Sequence, residues 1–418
     1  MDNRENNVDK ILKNLSSKNI EAEIFHVKVR FYELSIEKGE QHGLINEESG
    51  YGLRIINDKR LGFAYGNTLN DELIDLAISS SNANERDNAN YLPGPQKLYK
   101  LEGIYDESLL NPIENLKSYL NDINSIKDKV NIINSRAVGG VAEVEIKNTQ
   151  GIDVSEKNSF IWVGIIANYL GNEVTPEIYE GMGSKSVKKI NIDKIIKSIL
   201  EKTEIMKNRR KINKKFDYII FTQKAIDELV VPLLNYGFSL ENSYRNRTPF
   251  KLNDFLESKI SITDDPLIPY FSWSREFDGE GLPSKRVEII RDGVIKSYLS
   301  NSYWAKKANY ENTHSAFRTY TSLPSISTTT LVFSGKNFSD NNAVYVDQLQ
   351  GVHTSNFDTG DFSVSANVAW DNDGGFREIL ISGNIKELLN NIIGFDNDLI
   401  QYNKVFSGKM MVKGLSIA

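Results

Sequence analysis

The spacing of apolar residues along the chain changes several times between a helical and a strand-like period. Residues 7–15 carry apolar side chains at helical spacing, which predicts a short amphipathic helix. In residues 25–32 apolar and polar side chains alternate, which is typical of a half-buried strand. Two further strand-like runs in 51–65 flank a turn, and Thr68 with Asp71 resembles a capping box before the next helical pattern. This order predicts an α+β beginning.

The rest of the first half continues this mixture. Helical patterns cover about 113–126 and 190–206, and separate strand-like runs lie between them at 130–133, 141–146 and 160–169. A basic cluster at 207–215 follows. We interpret it as a solvated linker rather than a nucleic-acid contact, because no aromatic or glycine-rich platform accompanies it. We place a domain boundary there, with an N-terminal α/β domain of antiparallel strands and flanking helices at 1–212.

The pattern of the second half, 213–418, favours β-strands. The turn sequences at 292–293 and 373–375 each lie between alternating runs, which is a strong hairpin signal. Helical patterns occur near 223–235 and 384–393. We therefore expect a β-rich C-terminal domain, barrel or sandwich-like, with a few helices.

Composition narrows the chemistry. The 418 residues include no cysteine and four histidines without local spacing, which excludes disulfides, thiolate metal sites and thiol nucleophiles. The net charge of −6 does not favour a polyanionic partner such as nucleic acid. The first residues lack the apolar segment of a signal peptide, and no run is long enough for a membrane helix. We expect a soluble, cytoplasmic protein that binds neither nucleic acid nor membrane.

Acidic clusters are the remaining candidates for local chemistry, since the common nucleophile, phosphate-loop and zinc-helix motifs are missing. Asp278, Glu280 and Asp361 would be the carboxylates of a self-contained hydrolase, with magnesium as its metal. Most acidic clusters lie beside glycine or proline, where aspartate commonly stabilises a turn by bonding its own backbone. We therefore interpret them first as turns.

Several segments, in order over nearly the whole chain, together resemble the TldD/PmbA family, and specifically its PmbA (TldE) branch. The segments are 49–56, 60–64, 148–151, 264–266, 277–286, 292–299, 359–363, 381–384 and 394–399. The resemblance implies a two-domain fold and two branches that pair. The TldD branch resembles a zinc peptidase with two histidines, a glutamate base and a later cysteine, and the PmbA branch resembles its metal-free partner.

The same resemblance implies that the metal-binding helix has lost its ligands in this chain. Val231 falls on the first histidine position, Pro232 on the glutamate base and Tyr236 on the second histidine. None of the three is a suitable zinc ligand or base at neutral pH. We therefore predict no catalytic, cofactor-binding or metal-binding residue here. A proline inside a helix also predicts that the helix is distorted.

The function implied is a non-catalytic, metal-free PmbA/TldE-type subunit of a heteromeric zinc metallopeptidase that cleaves unfolded or extended peptides. Zinc is then expected only in a TldD-type partner, and the partners are that peptidase subunit and a peptide substrate. One alternative is a homodimeric peptide-binding module without a peptidase partner, and the isolated chain is a possible homodimer in either case. The other alternative is the carboxylate hydrolase described above.

Overall fold

Long antiparallel strands form the N-terminal part of the computed structural model, which describes residues 3–171, 173–339 and 342–418. The strands are β1 (Glu21–Glu37), β2 (Glu40–Asn57), β3 (Arg60–Gly66), β4 (Asn131–Asn148), β5 (Asp153–Asn168) and β6 (Ile178–Ser184). They lie in the order β3-β2-β1-β4-β5-β6, and each neighbouring pair is antiparallel. The predicted antiparallel N-terminal sheet is confirmed.

Helices cover one face of this sheet, and the other face is turned towards the C-terminal half. The helices are α1 (Asn3–Ser17), α2 (Asp71–Ala83), α3 (Ile113–Asn124) and α4 (Ile192–Met206). On β1, Ala22 and Ile24 pack in the cluster that holds α1 and α2. Phe25, on the opposite face, packs against Phe277 and Leu282 of the C-terminal half. Because successive side chains of a strand point to opposite faces of the sheet, every second side chain of β1 lies on the face turned towards the C-terminal half.

Two local predictions in this part are wrong. Helix α2 is capped by Asn70, whose side chain accepts a hydrogen bond from the Leu73 amide, and not by Thr68. The strand-like runs at 130–133 and 141–146 are one continuous strand, β4. The sequence pattern predicted two runs because Gly140 lies between them, and glycine usually weakens a strand interior. Here a Cβ on Gly140 would collide with the backbone of the neighbouring strand β1, 2.7 Å from the Phe31 Cα.

The C-terminal half contains two open mixed sheets. Its strands are β7 (Tyr218–Phe221), β8 (Ser261–Asp264), β9 (Val287–Arg291), β10 (Val294–Ile295), β11 (Ala316–Phe317), β12 (Ser325–Ile326), β13 (Leu331–Ser334), β14 (Ala343–Gln350), β15 (Asp361–Asp371), β16 (Gly374–Gly375), β17 (Ile379–Asn384), β18 (Ile392–Phe395), β19 (Ile400–Tyr402), β20 (Val405–Ser407), β21 (Met410–Lys413) and β22 (Ser416–Ile417). One mixed sheet has the order β10-β9-β8-β13-β20-β19 and the other β18-β21-β7-β14-β15-β17-β22, with β16 beside β15. Strands β11 and β12 form a separate antiparallel pair. The described strands form no closed barrel, which leaves the sandwich-like alternative of the prediction.

One large hydrophobic cluster joins these two sheets. It includes Phe221 and Val344 from one sheet, Ile262 and Leu331 from the other, and Leu229 from the helical segment between them. The helices of this half are α5 (Gln223–Ala225), α6 (Val231–Gly237), α7 (Leu240–Tyr244), α8 (Ser302–Lys307) and α9 (Ile385–Asn390). The arrangement confirms a β-rich half with a few helices, in a sandwich-like form.

Both predicted hairpins are present, and the basic cluster is tied to one of them. Asp292 and Gly293 have φ of 48° and 81°, as a tight turn between β9 and β10 requires. β16 pairs with β15 across the second turn. Arg210 and Lys214 of the basic cluster both bind Asp371, at the end of β15. The predicted boundary between residues 212 and 213 lies in this connection and stays a prediction.

No helix in the described part of the chain is long and apolar enough to cross a membrane.

The packing of α2 on β3 gives a test of the N-terminal fold. A Cβ on Gly62 would collide with the Ala77 carbonyl oxygen and lie 2.8 Å from the Ser81 Cβ, both on α2. We expect Gly62→Ala to lower the free energy of unfolding by roughly 2 to 3 kcal/mol, measured by urea denaturation, since the helix must shift. Gly66→Ala on the same strand is the control, because its Cβ would meet nothing nearer than 3.6 Å. Equal stability of both variants would contradict this packing.

Candidate functional site

The segment predicted to carry a degenerate ligand site is an irregular helix. It runs from α5 through a π turn at Ile226–Val230 into α6. The Val231 amide donates to the Ile226 carbonyl, five residues back, and Pro232 next to it has no amide hydrogen to donate. The predicted distortion is therefore present, as a π turn immediately before the proline.

The three side chains at the predicted ligand and base positions are engaged in packing or in a local hydrogen bond. Val231 is 6% exposed and belongs to the large C-terminal core. Pro232 is half-buried. The Tyr236 hydroxyl donates to Asp358, and burial together with this carboxylate raises the pKa of Tyr236. Within 3–171, 173–339 and 342–418, no group of three or more histidine, aspartate and glutamate side chains is placed to hold a metal ion.

The carboxylates of the alternative hydrolase do not form one site. Asp278 accepts hydrogen bonds from the amides of Glu280 and Leu282 through Oδ1, at 2.9 and 3.1 Å, which confirms its interpretation as a turn residue. Burial, followed by the neighbouring Glu280, raises the pKa of Asp278 to about 7. Asp361 lies at the start of β15, and its carboxylate accepts a hydrogen bond from the Thr359 hydroxyl.

Glu280 belongs instead to a buried ion network that joins the two halves. Arg54 on β2 binds Glu23 on β1 through two hydrogen bonds of 3.1 and 3.0 Å, and it reaches Glu280 at 3.2 Å. Arg318 binds Glu23 from the C-terminal side at 2.6 Å. Burial opposes ionisation of Glu23, but the guanidiniums of Arg54 and Arg318 outweigh it and lower the pKa of Glu23. Sequence reasoning missed Glu23, Arg54 and Arg318, because only the fold brings them together.

A cavity of about 230 Å³ lies beside this network, between the N-terminal sheet and the segment 272–279. Its lining includes the charged side chains of Glu156, Lys185, Arg275, Asp278 and Arg318. Burial raises the pKa of Glu156, and it lowers the pKa of Lys185 to about 8. The cavity is therefore lined by both halves of the chain and combines charged with apolar side chains.

A second cavity, of about 450 Å³, lies against the π turn. Asp227 and Glu228 of that turn line it together with Tyr402. Glu228 accepts a hydrogen bond from the Leu349 amide at 2.6 Å, while its other oxygen is buried without a partner in the described chain. Burial raises the pKa of Glu228 to about 8. The side chains that the irregular helix contributes to this cavity are thus the acidic pair at 227–228. An acidic pair inside an apolar run was the available sequence signal.

Comparison with known families agrees with this architecture. Residues 213–418 match the model of the PmbA/TldA metallopeptidase C-terminal domain, and residues 22–83 match PmbA/TldA metallopeptidase domain 1. The chain belongs to the PmbA/TldD family. This confirms the family resemblance of its motifs.

Relatives differ in how much of the chain they match. An uncharacterized protein of Methanocaldococcus jannaschii is 28% identical over 97% of this chain and 99% of its own length. Metalloprotease PmbA of Escherichia coli O157:H7 is 30% identical, over 38% of this chain and 36% of the relative. A zinc metalloprotease TldD homolog of Saccharolobus solfataricus is 21% identical over 68% of this chain and 65% of the relative. The chain thus spans about a third of that PmbA protein in the alignment.

Solved structures share the complete fold. TldE from Thermococcus kodakarensis superposes with a TM-score of 0.87 at 23% identity, covering 98% of this chain and 99% of that one. A protein described as a modulator of DNA gyrase, from Thermotoga maritima, gives a TM-score of 0.86 at 19% identity, covering 99% and 100%. At these identities the likeness concerns the fold alone.

The PmbA/TldD motif at 277–286 has a structural role in this chain. Asp278 holds the turn through backbone amides, and Glu280 reaches Arg54 and the Ser302 amide. Gly281 adopts a φ of 78°, which is strained for residues with a Cβ. The motif therefore fixes the loop that connects the C-terminal half to the N-terminal sheet.

Two ion pairs on β1 with the same two-bond geometry test the buried network. Glu23→Gln removes a carboxylate that is 0% exposed and leaves Arg54 and Arg318 short of their anion. We expect it to lower the free energy of unfolding by about 3 to 5 kcal/mol in urea denaturation. Glu33→Gln is the matched control, since its partner Arg136 is 49% exposed and such pairs contribute about 0 to 1 kcal/mol. A loss of similar size at both positions would refute the role of burial.

Glu228 gives a pH test of the helix. Its pKa is about 8 in the folded chain and near 4.5 when exposed, so between these values the folded state keeps a proton that the unfolded state has released. Stability from this group is complete below about pH 4.5 and falls as pH rises to about 8, by roughly 2 to 4 kcal/mol. Glu228→Gln removes this titration. The variant should therefore gain stability relative to the original chain as the pH rises from about 4.5 to about 8. Parallel stability–pH curves would contradict the assignment.

Proposed function

We propose that this chain is a non-catalytic, metal-free subunit of a cytoplasmic metallopeptidase complex, paired with a separate TldD-type zinc peptidase that cleaves unfolded or extended peptides. The observation that carries the proposal is the state of the helix at 231–236 in a protein of the PmbA/TldD family. Its first-ligand, base and second-ligand positions hold Val231, Pro232 and Tyr236.

The chemistry of these residues supports a non-catalytic role. Val231 has no lone pair to donate to a metal, and Pro232 has no ionisable side chain to act as a base. Tyr236 would have to bind zinc as a phenolate, but its hydroxyl is engaged by Asp358 and its pKa is raised further. The sequence also contains no cysteine to supply a thiolate. Reversing one substitution would leave the donor set incomplete.

What remains in this chain is a scaffold with polar cavities next to the altered helix. The cavity with Asp227 and Glu228 borders the π turn directly, and the charged cavity lies on the other side of Ser272, which lines both. In the proposed complex these surfaces hold peptide, while zinc and the general base are supplied by the partner subunit. The name TldE of a protein with the same fold is in keeping with such a division.

The proposal predicts the metal content and activity of the purified chain. We expect no stoichiometric zinc by elemental analysis and no cleavage of an unfolded peptide by the chain alone, because the ligand and base positions lack donors. One zinc per chain, with peptide cleavage that is lost on chelation, would refute the non-catalytic role.

Affinity purification from native extract tests the partnership separately. We expect a zinc-binding family member of similar size to co-purify, and the mixture to cleave peptides that this chain does not cleave. Recovery of a homodimer alone, from cells that contain a TldD-type protein, would refute the pairing and favour the homodimeric binding module.

A further inference from the structure

We infer that the cavity lined by Arg275 and Arg318 binds a carboxylate group of a peptide. The inference deepens the proposed function, because it names the chemical group by which this chain holds peptide. The cavity lies between strand β5 of the N-terminal sheet and the loop at 272–279, so both halves of the chain contribute to it.

Hydrogen-bond donors without partners are the first observation. Arg318 uses Nη1 to bind Glu23, but its Nε and Nη2 are buried and have no partner among the described residues. Arg275 donates through Nη1 to the Ala316 carbonyl, and its Nε is likewise buried and unpartnered. Buried charged donors without acceptors are costly, and a planar guanidinium is well suited to a carboxylate. Both residues therefore offer unused N–H groups to an anion.

The carboxylates in the cavity wall do not accept hydrogen bonds from these guanidinium nitrogens. Asp278 accepts from the amides of Glu280 and Leu282 through Oδ1 and from Ala316 through Oδ2. Glu156 accepts from the Glu276 amide and from Asn158. The two carboxylates of the wall thus accept hydrogen bonds from other groups of the chain, whereas Nε of Arg275 and Nε and Nη2 of Arg318 have no acceptor among the described residues.

A third buried cation lines the cavity. Lys185 is 6% exposed, and its ammonium lies 3.4 Å from the side-chain Oδ1 of Asn158. Burial lowers the pKa of both Arg275 and Arg318 in spite of the neighbouring carboxylates, because both guanidiniums are removed from water. An incoming anion would favour the charged form of both side chains.

Aromatic side chains complete the site and fit a peptide rather than a bare ion. The central carbon of the Arg318 guanidinium lies 4.4 Å from the centroid of the Phe25 ring, so the guanidinium packs against this ring. Trp273 and Phe317 also line the cavity and pack edge to face at 6.2 Å, and Phe317 is 40% exposed. A volume of about 230 Å³ suits one amino-acid residue, with its carboxylate inside and its apolar part against the rings. The carboxylate is either the C-terminus of the peptide or an acidic side chain.

Isothermal titration calorimetry on the isolated full chain distinguishes these sources. The probes are an acetylated alanyl-alanyl-phenylalanine with a free C-terminus, the same tripeptide as an amide, and an amide with glutamate in the middle position. We expect the free acid, the glutamate peptide or both to bind at least about tenfold more tightly than the plain amide. Equal binding of all three probes, or binding of inorganic phosphate alone, would overturn the inference.

Variants identify the cavity. Arg275→Gln and Lys185→Met should each weaken carboxylate binding by about tenfold or more, while Arg286→Gln should not. Arg286 is the matched control because it is 64% exposed and pairs with Asp265 outside the cavity. If Arg275→Gln does not fold, judged by circular dichroism, Lys185→Met decides the result, and binding unchanged from the original chain would refute the site. The assay uses neither zinc nor the partner. A negative result would therefore refute the carboxylate site without counting against the subunit proposal.

Discussion

The buried ion network of Glu23, Arg54, Arg318 and Glu280 is the constraint on which the arrangement of the two halves depends. Four charges out of water are tolerated only where their geometry is fixed and opposite charges lie next to one another. β1 and β2 supply Glu23 and Arg54, and the C-terminal loops supply the other two. The strands and loops that hold these charges therefore cannot slide relative to one another, and the charged cavity beside them has a defined shape.

The helix around Pro232 has an irregular backbone, with a π turn directly before its regular part. Val231 lies in the core, and its amide closes the π turn before Pro232. Such turns occur frequently at functional positions and leave side chains displaced from a regular helical face. Here the displaced side chains include Asp227 and Glu228, which line a cavity. The irregular backbone thus presents two carboxylates to this cavity, about one turn before residues 231–236.

Predictions from sequence succeeded where the deciding interaction is local. The turn at 292–293 is specified by two residues that adopt positive φ, and Asp278 bonds amides two and four residues ahead. They failed where a contact with a distant part of the backbone determines the local structure. Gly140 weakens the pattern of β4, yet it is required by the closely packed β1 strand beside it. The sequence pattern left a barrel and a sandwich-like form open, because short alternating runs specify strands but not how a sheet ends.

By itself the sequence determined the family, the order of helices and strands, and the residue types at 231–236, because motif identity and periodicity are properties of the chain alone. The tertiary structure decided which charges are buried together. Glu280 and Arg54 are 226 positions apart, and Arg318 and Glu23 are 295 apart. Unpartnered guanidinium nitrogens and a glutamate with a pKa of about 8 exist only once folding has removed water. Burial depends on the neighbours that the complete fold supplies, and no local pattern encodes them.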